Sequence, residues 1–187
     1  MTTIPRTLDL DLPRGQSAFL WGPRQTGKTT LLKRRFPEAI RYDLLQTDLF
    51  LELSRRPSLL REQLLAHGDK ARGRPMIIDE VQKVPQLLDE IHWLIENHGL
   101  QFILCGSSAR KVRRGRVNLL GGRDWRYRLF PLVSAELQSL DLLRILNRGM
   151  IPRHYLGEGY RRSQQAYFQD YLKEEVFAEG LTRNLPA

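Results

Sequence analysis

One cysteine, Cys105, stands among 187 residues. The chain therefore builds neither an internal disulfide framework nor a cysteine-rich zinc site. The four histidines, His67, His92, His98 and His154, fall at no H-E-x-x-H or finger spacing, which argues against a metal held by imidazoles. Long apolar runs are missing as well: a stretch such as Phe102-Ile103-Leu104-Cys105 is far short of the roughly 18 residues of a membrane span. Residues 1–14 carry Pro5, Asp9, Asp11 and Pro13 and no apolar stretch, so no secretory leader is expected. Internal repeats and low-complexity tracts are absent too. Together these absences predict a cytoplasmic protein with no membrane partner.

What is present is enough apolar material for a core, 41% hydrophobic against 27% charged residues. The size suits one domain, or one and a fraction. Lys and Arg number 30 against 21 Asp and Glu, for a net charge of +9. That excess favours anionic partners such as nucleotides, nucleic acids or acidic surfaces, and is silent about fold.

Short apolar runs alternate with longer helical patterns, which predicts βαβ units and a parallel sheet. Ser17 to Trp21 reads as a buried strand ending at Gly22, and residues 27–36 as the helix after it, stopped before Pro37. Residues 39–44 read as a second, weaker strand. Residues 58–66 read as a helix with Leu59, Leu60, Leu64 and Leu65 on one face, closed by Gly68. A third strand, 76–78, runs into Asp79-Glu80. The helix from Pro85 places Leu87, Leu88, Ile91, Leu94 and Ile95 at the 3.6-residue period and is capped by Gly99. Residues 100–105 read as a fourth strand, 109–124 as a basic loop with a short helix, and 126–130 as a last strand ended by Pro131. Helices are expected over 134–147 and 162–179.

Gly22-Pro23-Arg24-Gln25-Thr26-Gly27-Lys28-Thr29 is a complete G-x-x-x-x-G-K-T between a predicted strand and a predicted helix. In that setting successive backbone N–H groups curl around a β-phosphate, and the helix N-terminus adds partial positive charge. Gly27 permits close approach of the main chain, Lys28 reaches the β- and γ-phosphates, and the Thr29 hydroxyl completes a Mg²⁺ shell. Pro23 has no N–H, so the cradle is expected mainly from residues 25–30, with Gly22, Gln25, Thr26, Gly27, Lys28, Thr29 and Thr30 as nucleotide-binding candidates. About 50 residues on, the apolar run 76–78 ends in two acids. Asp79 is placed to hold Mg²⁺ through water, and Glu80 to polarise an attacking water.

Gly106-Ser107-Ser108 follows the fourth apolar run, where a hydroxyl could meet the γ-phosphate or the attacking water. If this strand inserts between those leading to Lys28 and Asp79, the site sits at the carboxyl edge of the sheet. Within residues 110–128, Arg110, Lys111, Arg113, Arg114, Arg116, Arg123, Arg126 and Arg128 face one acid, Asp124. One of these arginines could stabilise the transferred phosphoryl group, and the remainder could line a nucleic-acid path. A solvated basic loop remains the plain alternative, since no aromatic pattern interleaves with the charges. Trp21 and Trp93 are expected to pack rather than stack on bases.

Taken together, G-P-R-Q-T-G-K-T-T-L-L, I-I-D-E-V-Q-K-V-P, L-C-G-S-S-A-R and L-L-G-G-R-D-W-R-Y-R-L-F-P-L resemble prokaryotic AAA-like ATPases whose ATPase domain precedes a C-terminal domain of unknown function. The resemblance implies an α/β P-loop NTPase fold: a parallel sheet of the additional-strand, AAA-like kind, flanked by helices, with a short C-terminal helical extension. It implies Lys28 and Thr29 as Walker A residues, Asp79 and Glu80 as Walker B, and Ser107 or Ser108 as the first sensor. Gln82 and Lys83 would be family-typical residues just behind Glu80. Arg123, in the Gly-Gly-Arg segment, is the candidate that senses the γ-phosphate, in cis or on a neighbouring subunit. The implied division is an ATPase domain over 1–140 and an extension over 141–187, the truncated start of the C-terminal domain, because family members run on through a complete second domain. Gly149-Met150-Ile151-Pro152 and Tyr167-Phe168-Gln169-Asp170-Tyr171-Leu172 resemble its opening. An uncovered apolar face there would favour homo-oligomers.

The expected activity is Mg²⁺-dependent ATP hydrolysis coupled to a partner or nucleic acid. A P-loop nucleotide or small-molecule kinase is the alternative enzyme, disfavoured by the Asp79-Glu80 pair and by the lack of a lid motif. No N-K-x-D motif supports a GTPase. A non-hydrolysing, nucleotide-gated nucleic-acid-binding module is the alternative outside catalysis.

Overall fold

The computed structural model describes residues 4–13, 15–68, 73–107, 124–169 and 171. The chain divides into two compact units. One comprises Leu10–Gly22 and Lys28–Leu129, and the other Met1–Asp9, Pro23–Gly27 and Phe130–Ala187.

The first unit is built on five parallel strands: Ser17–Trp21 (β1), Ile40–Asp43 (β2), Met76–Asp79 (β3), Phe102–Gly106 (β4) and Asp124–Arg128 (β5). Their spatial order is β2-β3-β4-β1-β5, so β4 does insert between β3 and β1, the condition for a site at the carboxyl edge. The three central strands are buried at every position, which is why they read as unbroken apolar runs rather than alternating ones. Register aligns their ends: Asp79 lies opposite Asp43 and Cys105, and Trp21 opposite Gly106 and Arg128. All five carboxyl ends thus share one edge, where loops of parallel α/β sheets carry function.

Helices Lys28–Arg35 (α1), Thr47–Arg55 (α2), Ser58–Ala66 (α3) and Leu87–His98 (α4) belong to the same unit. Leu60 and Leu64 of α3 and Leu87, Leu88, Ile91 and Leu94 of α4 enter the core with Phe19, Ile78, Phe102 and Leu104. Gly99 ends α4 at φ +62, a left-handed cap that a Cβ would strain. Arg41 of β2 donates to the carbonyls of Leu32 and Phe36, placing a cation at the C-terminal end of α1.

Helix α2 was not anticipated. Leu53 is its one fully buried side chain, with Leu49 and Phe50 packed beside the core on the same face. The last strand lies two residues earlier than 126–130, because pairing with Ser17–Trp21 sets its bounds.

In the second unit the expected helix 134–147 is broken. A 3-10 turn covers Ser134–Glu136, and a helix covers Leu142–Arg148 (α5). The Asp141 side chain accepts from Arg144 N at 2.9 Å, a cap that explains the late start. Pro152–Leu156 (α6) and Tyr160–Tyr167 (α7) follow, α7 starting earlier than residue 162, and residues 172–179 lie outside the described residues. Arg144 lies 4.6 Å from the Tyr155 ring centroid and Arg148 4.7 Å from that of Tyr160. Leu142, Leu143 and Leu146 of α5 are exposed.

The buried sheet implies a specific cost for emptying its centre. Phe102→Ala is expected to lower unfolding free energy by about 3–5 kcal/mol, read from urea denaturation. A loss under about 1 kcal/mol would contradict the burial of Phe102 in β4.

Candidate functional site

In the sheet unit, the candidate residues gather where β1, β3 and β4 end. Lys28 opens α1 and is 6% exposed. Its Nζ donates to the carbonyl of Gly22 at 2.7 Å, joining the two ends of the intervening loop. Thr29 Oγ1 donates to Asp79 Oδ2 at 2.7 Å. The other carboxylate oxygen, Oδ1, accepts from Cys105 Sγ at 2.9 Å and from Glu80 N at 3.1 Å. Burial pushes the Cys105 thiol well above its ordinary value, and the adjoining Asp79 carboxylate pushes it further. The thiol therefore stays protonated and acts as a donor, so both Asp79 oxygens accept hydrogen bonds.

Glu80 leaves the strand in the left-handed region, φ 58 and ψ 41, which is uncommon for a residue with a side chain. The 3-10 turn Val81–Lys83 compensates on its far side. Val81 is fully buried, Lys83 N bonds Glu80 O at 2.9 Å, and Lys83 Nζ donates to Leu44 O at 2.7 Å while lying 4.4 Å from the Phe50 ring centroid. Lys83 thus ties the turn to the end of β2. Gln82 points the other way: its Nε2 donates to Glu80 Oε2 and to Ser107 Oγ, the latter at 3.2 Å.

In the second unit, Pro23–Gly27 forms a tight loop. Gln25 at φ 63 and Gly27 at φ 93 flank Thr26 with positive-φ backbone, which glycine adopts freely and glutamine does not. Thr26 is fully buried, and its hydroxyl donates to Pro23 O at 2.9 Å. Arg6 then braces the loop. Its Nη1 donates to Thr26 O at 2.6 Å, its Nη2 to Phe130 O at 2.6 Å and Pro131 O at 3.2 Å, and its Nε lies 3.0 Å from Glu136 Oε1. Glu136 also accepts from Thr7 N at 2.8 Å and Val133 N at 3.1 Å. The two charged side chains are 9% and 2% exposed. Burial alone would raise the Glu136 carboxyl, but the Thr7 N–H, the Arg6 guanidinium and the Val133 N–H outweigh it and hold the group below its ordinary value.

Of the candidates read from the sequence, Lys28, Thr29, Asp79, Glu80 and Ser107 come together in the sheet unit. Gly22 closes its part of the loop, and Thr30 is exposed on α1. Ser108, Arg123 and basic residues 110–116 lie outside the described residues, whereas Arg126 and Arg128 are exposed on β5. Sequence reasoning missed Arg6 and Glu136, whose pairing spans most of the chain and leaves no local motif. Among the described residues, no group of three or more His, Cys, Asp or Glu could hold a metal by itself. No helix among them is long and apolar enough to cross a membrane.

A family model described as an AAA domain matches residues 14–138, more than half of the chain. The protein belongs to the AAA domain family, a class of nucleotide-binding ATPases, and its parallel sheet with a G-x-x-x-x-G-K-T loop after β1 is the P-loop NTPase fold. Among solved structures it is similar to domain III of the Thermotoga maritima replication initiation protein DnaA, at 16% identity and a TM-score of 0.44 over 91% of this chain and 79% of that one. It is also similar to the Pif1 helicase from Candida albicans, at 17% identity and a TM-score of 0.37 over 75% of this chain and 42% of that one. No curated protein matches it.

The brace around Arg6 should titrate. Because the folded Glu136 carboxyl lies below its ordinary 4.5, the unfolded chain takes up the proton first as pH falls. The stability it contributes is complete above about 4.5 and is lost as pH falls through the folded value. Urea unfolding of wild type and Glu136→Gln should therefore differ most near neutrality and converge toward pH 3. A difference that stays constant over that range would contradict the assignment.

Proposed function

We propose that the protein binds ATP with Mg²⁺ and hydrolyses the β–γ phosphoanhydride bond, with Glu80 as general base. The observation that carries this reading is the Thr29–Asp79 hydrogen bond at 2.7 Å, next to a Lys28 ammonium resting on a main-chain carbonyl. A hydroxyl beside a single carboxylate is a set of hard oxygen donors, which suits Mg²⁺, an ion that takes one or two carboxylates and completes its shell with substrate phosphates and water. When bound, the ion supplies charge neutralisation to the phosphates.

The remaining roles belong to the chain. Gly22 O is a neutral acceptor, so the Lys28 ammonium gains a stronger, charge-assisted bond by exchanging it for β- and γ-phosphate oxygens. Gln25, Thr26, Gly27, Lys28, Thr29 and Thr30 present the phosphate cradle, as the left-handed backbone at Gln25 and Gly27 supports. Glu80, in the turn after β3, accepts the proton of the attacking water. Ser107, and Ser108 after it, read the γ-phosphate from the end of β4, and Arg123 stabilises the transferred group in cis or from a second copy. Residues 1–140 act as the ATPase domain and 141–187 as its helical extension. The basic stretch 110–128 offers a nucleic-acid path, consistent with the exposed Arg126 and Arg128.

Two substitutions test the reading. Lys28→Ala should abolish binding of a fluorescent ATP analogue with Mg²⁺, and retained micromolar affinity would refute the cradle. Glu80→Gln should keep that affinity and slow phosphate release by about 10²–10⁴-fold. Turnover at the wild-type rate would remove Glu80 from the base role, and binding without release in the wild type would favour the nucleotide-gated module.

A further inference from the structure

Gln82 has no function in the account so far, and its surroundings are unusual. Its amide nitrogen donates to both Glu80 Oε2 and Ser107 Oγ. Its carbonyl oxygen, Oε1, is buried and has no hydrogen-bond partner among the described residues. Buried amide oxygens are rarely left in that state, and one retained beside a candidate base points to a constraint other than packing. The oxygen sits against the backbone of Gly106: a Cβ there would collide with it and approach the Trp21 ring at 3.1 Å. Glycine at 106 therefore makes room for the Gln82 amide at the end of β4.

The turn leaves this side chain little choice of place. Glu80 is held left-handed, Val81 is anchored in the core, and Lys83 is tied to Leu44 O. With the backbone set on both sides, an amide group is the side chain that offers two N–H donors to two oxygen acceptors. A carboxylate that must face one water needs its rotamer set by a neighbour, because small misplacements of a base cost large factors in rate. Accepting from Gln82 also polarises the Ser107 O–H toward donation.

We propose that Gln82 is a positioning residue that couples the Glu80 carboxylate to the Ser107 hydroxyl, so that the base and the strand-end group that meets the γ-phosphate are oriented as one unit. This rests on the reading of Glu80 as general base. Gly106 belongs to the same device, as the residue whose missing side chain leaves space for the amide.

A double-mutant cycle separates the two claims. Gln82→Ala and the near-isosteric Gln82→Glu, which replaces the donor with a like charge, should each slow single-turnover hydrolysis by roughly tenfold or more, below the loss assigned to the base itself. Affinity for Mg²⁺ with the fluorescent ATP analogue should stay within about twofold of wild type. Adding Gln82→Ala to Glu80→Gln should slow the reaction no further, since a residue acting through Glu80 has nothing left to act on. An equal loss in both backgrounds overturns the coupling while leaving Glu80 as base. Wild-type turnover in Glu80→Gln overturns both. Gly106→Ala gives an independent variant should Gln82→Ala fail to fold: it should reproduce the rate loss at unchanged affinity, and full activity counts against the proposal. In the nucleotide-free protein, the side-chain NH₂ resonances of Gln82 should shift in both Glu80→Gln and Ser107→Ala, and resonances unmoved by either overturn it.

Discussion

The bond from the Thr29 hydroxyl to Asp79 joins the first turn of α1 to the tip of β3, two elements separated by the whole of β4. Neighbouring strands lie about 4.8 Å apart, so the partners start from backbones roughly two strand spacings distant. They meet because Lys28–Arg35 begins at the carboxyl edge of the sheet, where β3 also ends. On β4 the residue opposite Asp79 is Cys105, whose thiol donates to the second carboxylate oxygen. Strand order, register, one hydroxyl and one thiol thus converge on one carboxylate.

Around that carboxylate the protein separates rigid parts from strained ones. Asp79 and Cys105 sit inside regular, fully buried strands, where their mutual geometry follows from the ladder. Glu80 sits one residue beyond, in a backbone conformation that costs energy and is held by Val81 and Lys83. Placing Asp79 on the strand and Glu80 on the turn lets the ladder fix the first and a neighbour aim the second. The Gln82 amide, which donates to Glu80, falls on the aimed side of this division.

The second unit applies a different device to its own loop. Arg6 spends its guanidinium on three main-chain carbonyls and one buried carboxylate, rather than on solvent. A planar fork of donors suits that task, since it satisfies several acceptors with one set of fixed angles. The pairing is strong where it is because Glu136 is itself held by two backbone N–H groups. Removing either charged partner would leave the other buried and uncompensated, which is the expensive way to break such a pair.

Much of this was legible in the residues themselves. The central strands announce themselves as unbroken apolar runs, α4 by its 3.6-residue period, and the phosphate loop by glycine, lysine and threonine at set intervals; each depends on interactions within a few residues of itself. The acids at the end of β3 were likewise readable, because a strand tip is a local feature. Folding alone decided that β4 slots between β3 and β1, that Gln82 turns toward Glu80 and Ser107, and that Arg6 finds Glu136 across most of the chain. It also set Leu49, Phe50 and Leu53 of Thr47–Arg55 against the core, where burial stabilises a short amphipathic helix. Those outcomes rest on contacts between segments that carry no mark of one another, and such contacts exist only once burial has brought the segments together.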